Sequence, residues 1–417
     1  MKKRFLAFWV CMAVLLASFT GCYSAQDGPS TLSSSQTMQS NSGSAAENSV
    51  EIRTYGIPEE NVRANIIYVP SPSTGGFWTC AVFNAKTIQA YDPTTKTAYF
   101  PCYQAGCKHN DASCTANFGG VISGFAEYRG NFYAMIYYND DTASAFVTRP
   151  VSGGPLQILA SWEPENENEE CRCGFYGLSF GKAYLTVSKE TYAMKDGQTE
   201  SVKEEYSKCS LDLETGELVE YMADEDGYLP YMHGVWGDVA VFQDWYADRP
   251  DGTPVKRDGS EDYNFRLYSK NLRTGEEKTI VDVTENFIWT ADPHVSWGQY
   301  TVYQVDRSVY VYDMETQTSK KLFTHEPGWD FYNYMILDGH VMVIGGTEDT
   351  CRAWAIDIMD GSVVELDTRG GNVVAFGANY ECNGYFAGLK RNSSGDFEQC
   401  YISKEDFYRS NYDAAFR

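Results

Sequence analysis

A two-strand sequence motif recurs seven times along this chain and constrains its fold more than any other feature. Each copy has an apolar and aromatic run, a turn rich in Asp, Asn, Thr or Gly, and a second run. The copies begin at Ile88, Phe146, Cys209, Leu267, Val309, Ala353 and, in degraded form, Cys400. Their starts lie 58, 63, 58, 42, 44 and 47 residues apart. A period in the forties is typical of four-stranded units repeated around an axis, and longer spacings indicate insertions.

A second hairpin precedes most copies and turns on a glycine, as in EYRGNFYAMIYY and LSFGKAYLTV. The glycines of the five clear cases are Gly130, Gly181, Gly237, Gly298 and Gly339. Glycine accepts the positive φ of a tight hairpin turn, and alternation of apolar with polar residues predicts half-buried strands. A looser copy at 377–389 and a first one at 66–83 complete the series. Two hairpins in succession make one four-stranded blade.

The repeat therefore predicts an all-β fold, a β-propeller of seven four-stranded blades, with six or eight blades as alternatives. A β-sandwich is the competing fold, and it lacks a repeat of this kind. The last copy has no convincing partner strand, whereas residues 62–69 read as a strand without a clear hairpin. Because propellers often close by sharing a strand between the termini, we expect residues 66–69 to pair with the last blade.

The N-terminus predicts export. Basic residues at 2–4 precede an apolar run over 5–19, which ends at Thr20, Gly21 and Cys22. A basic start, a short apolar stretch and small residues describe a secretory signal, and the run is too short for a dedicated membrane span.

The segment FTGC resembles the lipobox of bacterial lipoproteins, although Phe19 stands where Leu is usual. The resemblance implies a signal peptide over 1–21 and lipid on Cys22, because two acyl chains anchor a protein far better than one. Ordinary cleavage near Ala17 or Ala25 is the alternative. We therefore expect a chain anchored by lipid to the outer face of the bacterial cytoplasmic membrane or cell surface.

Residues 22–50 are Ser, Thr, Gln, Asn, Gly and Ala with almost no large apolar side chains. Such a segment cannot bury enough surface to offset its ordering entropy, so we expect a flexible tether. No other linker is evident, and residues 51–417 are predicted to form one propeller domain.

The chain is strongly acidic, with a formal net charge of −24. Nucleic acids are bound through Lys and Arg, so we expect no nucleic-acid partner. Acidic residues concentrate at 163–170, 224–226 and 244–262. Calcium needs several oxygen ligands at loop spacing, and these stretches offer it as an alternative cofactor without a complete D-x-D-x-D-G loop.

Ten cysteines remain when Cys11 and Cys22 are set aside, and an even count in an exported protein permits disulfides. One group stands within thirteen residues: Cys102, Cys107, His109 and Cys114. Three thiolates and an imidazole are a ligand set for structural Zn²⁺, but the spacing lacks the C-x-x-C pair that most such sites use. A disulfide among the three, with the third pairing elsewhere (Cys80, for instance), bound zinc, and free thiols are the alternatives.

Catalytic motifs are absent from the sequence: it has no G-x-S-x-G, H-E-x-x-H, P-loop or post-strand G-x-G-x-x-G. A glycosidase-type pair of carboxylates has no supporting pattern, because no acidic residue recurs at matched inner-strand positions. Those positions hold Ala126, Ser179, Val235, Ser296 and Leu337. We therefore favour a binding protein without a cofactor over an enzyme.

The long insertions all fall on one predicted face. The turns within each hairpin are short and define the turn face, whereas the connections between hairpins, such as 102–120 and 188–207, define the loop face. Aromatic residues on these loops are ligand-binding candidates, since loops on rigid scaffolds carry function. They are Trp162, Tyr231, Trp245, Tyr246, Trp289, Trp329 and Phe331. We expect this face to bind a glycan, peptide or protein; an extracellular polymer hydrolase or lyase with acidic residues near the channel is the alternative.

The phrase L-D-x-x-T-G that begins at Leu211 resembles the repeats of TolB-like and pyrroloquinoline-quinone-type propellers. The tryptophan that ends the strict quinone-type repeat is absent. CKHNDASC, together with the lipobox, resembles propeller lipoproteins of Gram-positive gut anaerobes, mostly without assigned function. The resemblance implies the fold and the location, not a ligand.

Overall fold

Twenty-eight β-strands and two short helices form the described part of the chain. This computed structural model describes residues 53–55, 58–64, 69–70, 76–80, 86–109, 113–138, 142–195, 197–224, 229–246, 264–283, 296–305, 307–325, 330–347, 350–368, 376–382, 384–391 and 396–416.

The strands in chain order are β1 (Asn61–Arg63), β2 (Val69–Pro70), β3 (Phe77–Cys80), β4 (Ile88–Asp92), β5 (Thr97–Tyr99), β6 (Val121–Tyr128), β7 (Asn131–Tyr138), β8 (Ala143–Pro150), β9 (Gln157–Trp162), β10 (Glu169–Ser179), β11 (Lys182–Lys195), β12 (Gln198–Asp212), β13 (Leu218–Asp224), β14 (Tyr231–Trp236), β15 (Val239–Tyr246), β16 (Asn264–Asn271), β17 (Glu277–Val283), β18 (Ser296–Trp297), β19 (Tyr300–Val305), β20 (Ser308–Asp313), β21 (Thr318–Thr324), β22 (Asp330–Leu337), β23 (His340–Thr347), β24 (Thr350–Asp357), β25 (Val363–Leu366), β26 (Phe376–Cys382), β27 (Tyr385–Arg391) and β28 (Phe397–Ser403). Helix α1 (Lys404–Tyr408) and a 3₁₀ turn (Tyr412–Ala414) follow.

These strands form seven antiparallel sheets in sequence order. Blades 1 to 6 are β2–β5, β6–β9, β10–β13, β14–β17, β18–β21 and β22–β25, and blade 7 is β26–β28. Each blade begins with its inner strand, beside the central channel, and ends with its outer strand. The prediction of an all-β propeller with seven blades is confirmed.

Five of the outer hairpins turn where the repeated motif predicts, and in each of these one side chain caps the turn. The Asp or Asn that ends the third strand accepts N–H bonds from the residues two and three positions on, at 2.7–3.4 Å. Such Asx turns are a local preference of these side chains. The capping residues are Asp92, Asp212, Asn271, Asp313 and Asp357.

The hydrophobic core lies between neighbouring blades. Phe146 of blade 2 and Phe175 of blade 3 are buried with their ring centroids 4.9 Å apart. Trp78 of blade 1 meets Phe132 of blade 2 edge to face at 4.7 Å, and its Nε1 donates to Glu127 Oε2. Each blade is therefore held by its two neighbours.

The N-terminal strap (residues 53–55 and 58–63) crosses the turn face and enters the channel. Arg53 pairs with Asp360 in the outer turn of blade 6 at 3.0 Å. Glu60 pairs with Arg129 in the inner turn of blade 2 at 2.7 Å. Strand β1 then adds to the inner strand of blade 3, with Asn61 opposite Ser179. The strap thus connects blades on opposite sides of the channel.

The expected closure by a shared strand is wrong where the structure describes it. Val69 pairs with Trp78 inside the first blade, and residues 66–68 lie outside the described residues. Blade 7 is extended by the chain's own C-terminus, since Phe416 and Tyr401 exchange two backbone hydrogen bonds of 2.8 and 2.9 Å.

The prediction of a loop at 188–207 is also wrong. Strands β11 and β12 are paired along their whole length, from the pair Lys182 and Asp212 to the pair Lys195 and Gln198. The segment is a two-stranded arm, whose polar residues need no core because both of its faces meet water. A membrane-crossing helix, which needs a long apolar run, is not found among the residues described.

Candidate functional site

The Cys/His cluster lies on a long loop that follows the outer strand of blade 1. After β5 the chain leaves the sheet and returns beside β4, where Ile88 N donates to Ala116 O and Phe118 N to Lys86 O, at 3.0 and 2.7 Å. This loop packs sideways against blade 2, with Tyr103 OH 3.5 Å from Val151 O. The loop predicted on the loop face is therefore an outer-edge loop between two blades.

The four predicted ligands converge there. The ligand atoms of Cys102, Cys107, His109 and Cys114 all lie within 4.8 Å of one another. His109 Nδ1 lies 3.4 Å from Cys114 Sγ. In a tetrahedral zinc site with ordinary bond lengths, nitrogen and sulfur ligands are about 3.5 Å apart and two sulfurs about 3.8 Å. The geometry therefore fits a four-coordinate metal.

Each sulfur of the cluster accepts a backbone N–H from the residue two positions later. His109 N lies 3.3 Å from Cys107 Sγ, and Ala116 N lies 3.4 Å from Cys114 Sγ. Gln104 N–H lowers the pKa of the Cys102 thiol to about 6, whereas burial raises the pKa of the Cys114 thiol to about 11. Donors aimed at all three sulfurs stabilise thiolates, the form that binds metals.

Groups around the cluster hold the ligands in place. The His109 ring stacks on Phe100 with centroids 4.3 Å apart, and Thr87 Oγ1 donates to the His109 carbonyl at 3.3 Å. Arg149 is buried and donates through Nη1 to the carbonyls of Cys114, Thr115 and Asn117. Burial lowers the pKa of this guanidinium, which still fixes the end of the loop against blade 2.

The other described cysteines give no second cluster. None of the nine cysteines with described side chains is bonded to another of them, so the predicted disulfide does not appear among them and stays an alternative. Burial raises the pKa of Cys171 and of Cys173, which lie on β10 with one residue between them. Within the described ranges, only the Cys/His cluster brings three or more metal-ligating side chains together.

The acidic segment 163–170 is partly neutralised, which gives the calcium alternative no support here. Lys189 lies 3.0 Å from Glu165 and 3.4 Å from Glu169, and Arg172 lies 2.8 Å from Glu170. Segments 225–228 and 247–263 lie outside the described residues.

Two of the seven aromatic candidates have described side chains. Trp162 is partly buried against the core between blades 2 and 3, which makes it a packing residue. Tyr231 is 41% exposed at the start of β14, on the loop face, with its ring 5.1 Å from that of His233. The side chains of Trp245, Tyr246, Trp289, Trp329 and Phe331 lie outside the described part.

The turn-face end of the channel contains a buried polar network that sequence reasoning missed. Lys404 Nζ lies 2.7 Å from Asp338 Oδ1 and 3.3 Å from Glu381 Oε2. Trp297 Nε1 donates to Glu381 Oε1 at 2.9 Å, and Tyr408 OH to Asp338 Oδ2 at 3.0 Å. Burial raises the pKa of Glu381 to about 7 although Lys404 opposes the shift. These carboxylates are engaged in structural bonds.

Several solved structures resemble this chain at low sequence identity. No protein-family model and no curated protein matches it. The β-propeller domain of the Trilobed protease from Pyrococcus furiosus is 12% identical with a TM-score of 0.42, over 76% of this chain and 87% of that domain. TolB from Acinetobacter baumannii is 13% identical with a TM-score of 0.33, over 81% and 76% of the two chains.

An oligogalacturonate lyase in complex with manganese is 10% identical with a TM-score of 0.39, over 67% of this chain and 72% of that one. Such likenesses concern the fold alone. TolB, which the sequence resemblance named, is among these neighbours, and the lipoprotein and quinone-type parts of that resemblance stay predictions.

Proposed function

We propose that this protein is a lipid-anchored binding module, held outside the cytoplasmic membrane by Cys22 and residues 22–50, whose loop face binds a glycan, peptide or protein. The observation that supports it most is the position of the strap. Arg53, the first described residue, is fixed to the turn face through Asp360. A tether that joins there leaves the loop face directed away from the membrane.

The turn-face carboxylates support binding over hydrolysis. A glycosidase needs two carboxyl groups that can reach a bond in the substrate. Glu127 is held by Trp78, and Asp338 and Glu381 are held by Lys404 beneath the strap. The polymer-degrading alternative therefore has no specific observation in its favour.

Two exposed aromatics give a matched test of the binding face. Tyr231 on the loop face is 41% exposed and Phe180 on the turn face is 45% exposed; each has one described ring neighbour. Full-length protein in detergent is applied to glycan and peptide arrays. Tyr231→Ala is expected to weaken the array signal about tenfold or more, as anchors in an interface do, and Phe180→Ala to leave it unchanged. The reverse pattern, or no binding to either array, overturns the proposal.

We also propose that the Cys/His cluster carries one structural Zn²⁺, with Cys102, Cys107 and Cys114 as thiolates and His109 bound through Nδ1. The support is the convergence of four ligand atoms together with three N–H donors aimed at the sulfurs. A metal that binds only the folded chain stabilises it, by about 2.7 kcal/mol at a free concentration one hundred times its Kd.

Metal analysis of the full-length protein tests the zinc site. We expect one zinc per chain in the parent and in Cys171→Ser, a control that removes a thiol outside the cluster, and none in Cys107→Ser. Intact mass under non-reducing conditions separates the disulfide alternative. A metal-free parent with a disulfide that includes Cys102, Cys107 or Cys114 would show that the zinc assignment is wrong.

A further inference from the structure

The inner strands of five blades carry a β-bulge at one equivalent place on the channel wall. In each, one residue is left out of the pairing with the second strand. Bulges re-aim side chains and are enriched beside active sites. The unpaired residues are Ser123, Tyr176, His233, Tyr332 and Asn379.

Strand β1 places an arginine beside two of these bulges. Arg63 pairs with Gly177 in register, and its guanidinium carbon lies 5.2 Å from the centre of the Tyr176 ring. Its Nη1 is buried and has no hydrogen-bond partner among the described residues, and no described carboxylate pairs with it. In a chain with 57 acidic and 33 basic side chains, a channel arginine without a described counter-ion is notable.

The neighbouring histidine is also incompletely bonded. His233 is 1% exposed; its Nε2 lies 2.8 Å from Gln243 Oε1, and its Nδ1 has no partner in the described part of the chain. Burial, with a smaller contribution from the charge of Arg63 and against the hydrogen bond to Gln243, lowers the pKa of His233 to about 4, so the ring is neutral at pH 7. If the Gln243 amide rotates to donate to Nε2, Nδ1 carries the proton and becomes a donor.

Arg63, which is partly buried with an unbonded Nη1, and His233, whose buried Nδ1 becomes a donor when the Gln243 amide is rotated, together suit an anion, because leaving such groups without partners is costly. A guanidinium matches a carboxylate, whose two oxygens accept from its planar fork. Tyr231, two residues before His233 on the same strand, is exposed and marks the opening of the site toward the loop face.

We propose that Arg63 and His233 bind a carboxylate group of the ligand, with Tyr231 contacting the adjoining part of that ligand. This inference rests on the proposed function, in which the ligand enters from the loop face. It assigns the ligand an acidic group, although the protein itself is strongly acidic.

Ligand-observed NMR on the full-length protein tests the carboxylate site. The probes are two acids and their uncharged counterparts: glucuronate against methyl glucoside, and N-acetylalanine against N-acetylalaninamide. We expect at least one acid to bind about tenfold more tightly than its neutral counterpart, and the acid that binds identifies a sugar or a peptide as the source of the carboxylate. Equal binding of acid and neutral probe in both pairs overturns the inference.

Arginine variants identify the residue responsible. Arg63→Gln is expected to remove the preference for the acid, and Arg63→Lys to keep part of it, with melting temperatures recorded for both. Arg273→Gln is the control, since its side chain is 77% exposed on an outer turn and its removal changes net charge equally. Equal losses in Arg63→Gln and Arg273→Gln would indicate a long-range charge effect and refute the site. If Tyr231→Ala abolishes array binding while Arg63→Gln retains the acid preference, the result supports the proposed binding function and refutes the carboxylate site.

Discussion

Gly339→Ala tests how firmly the strap is fixed, because the strap crosses directly over this glycine. Gly339 has φ +65°, and a Cβ built on it would lie 2.5 Å from Tyr55 Cδ2 and 2.9 Å from Cγ. Real contacts of this kind are not shorter than about 3 Å, so the ring must move. Tyr55 would then leave its present position, in which its OH donates to Asp357 at 2.8 Å and its N–H donates to Asp338 at 2.7 Å.

Gly130→Ala is the matched control. Gly130 occupies the same turn of blade 2 with φ +75°, and nothing lies within 4 Å of its built Cβ. An alanine in this left-handed conformation costs about 1–2 kcal/mol at either site. Hydrogen bonds to charged groups contribute about 1.5–3 kcal/mol each, so weakening the two bonds of Tyr55 adds about 2–4 kcal/mol. We expect Gly339→Ala to destabilise by about 3–6 kcal/mol in total and Gly130→Ala by about 1–2 kcal/mol.

Urea unfolding measures both variants, and trypsin cleavage after Arg53 reports on the strap itself. The excess cost at Gly339 should vanish in a Tyr55→Ala background, because a double-mutant cycle isolates the interaction between the two residues. Equal destabilisation by Gly339→Ala and Gly130→Ala, or an excess that survives without Tyr55, would refute the argument that the strap is anchored by this ring.

Three further changes have defined outcomes. Arg149→Ala removes one donor from three loop carbonyls; we expect a loss of about 2–4 kcal/mol in unfolding free energy and faster zinc release to a chelator, and an unchanged release rate would contradict the role of Arg149. Glu381 has its pKa raised from 4.5 to about 7 in the folded protein. The stability that this shift contributes is therefore fully present below about pH 4.5, and roughly 3 kcal/mol of unfolding free energy is lost as the pH rises through 7. Glu381→Gln should flatten that part of the profile in urea titrations, and a parallel profile would exclude Glu381 as its source. Cys22→Ala should release the protein into the medium, whereas Cys11→Ala should stay with membranes; fractionation that is the same for both refutes the lipid anchor.

The propeller could be predicted from the sequence because its determinants are local. Asp212, Thr215 and Gly216 form their turn with bonds inside five residues, so the same motif marks the same kind of turn in five blades. The Cys/His cluster could be recognised for a similar reason, since its ligands share one short segment. Residues 188–207 were misjudged as a loop because charged residues on both faces of a solvated hairpin resemble loop composition.

The missed features depend on contacts between distant segments. Arg149 fixes a loop more than thirty residues earlier in the chain, and no local pattern marks it. His233 and Tyr176 reach the channel as bulged residues, and a bulge is defined only when two strands pair. Arg63 belongs to a strand of three residues that forms by pairing with an inner strand more than a hundred residues away.

The strap also explains how this ring can stay closed although no strand shared between the termini is found in the described part of the chain. Between the last blade and the first, the described contacts are made by side chains, such as the Tyr91 and Tyr401 rings stacked at 4.2 Å and Lys96 above Phe416 at 4.3 Å. A backbone ladder would resist opening of this junction more strongly than ring contacts alone, because each strand pair adds several hydrogen bonds. The strap supplies bonds across the channel instead: Tyr55 and Arg53 hold blade 6, and β1 pairs with blade 3. Separation of blades 7 and 1 would therefore strain these bonds, so the strap also restrains the ring, and loss of the Tyr55 anchor is expected to loosen the junction first.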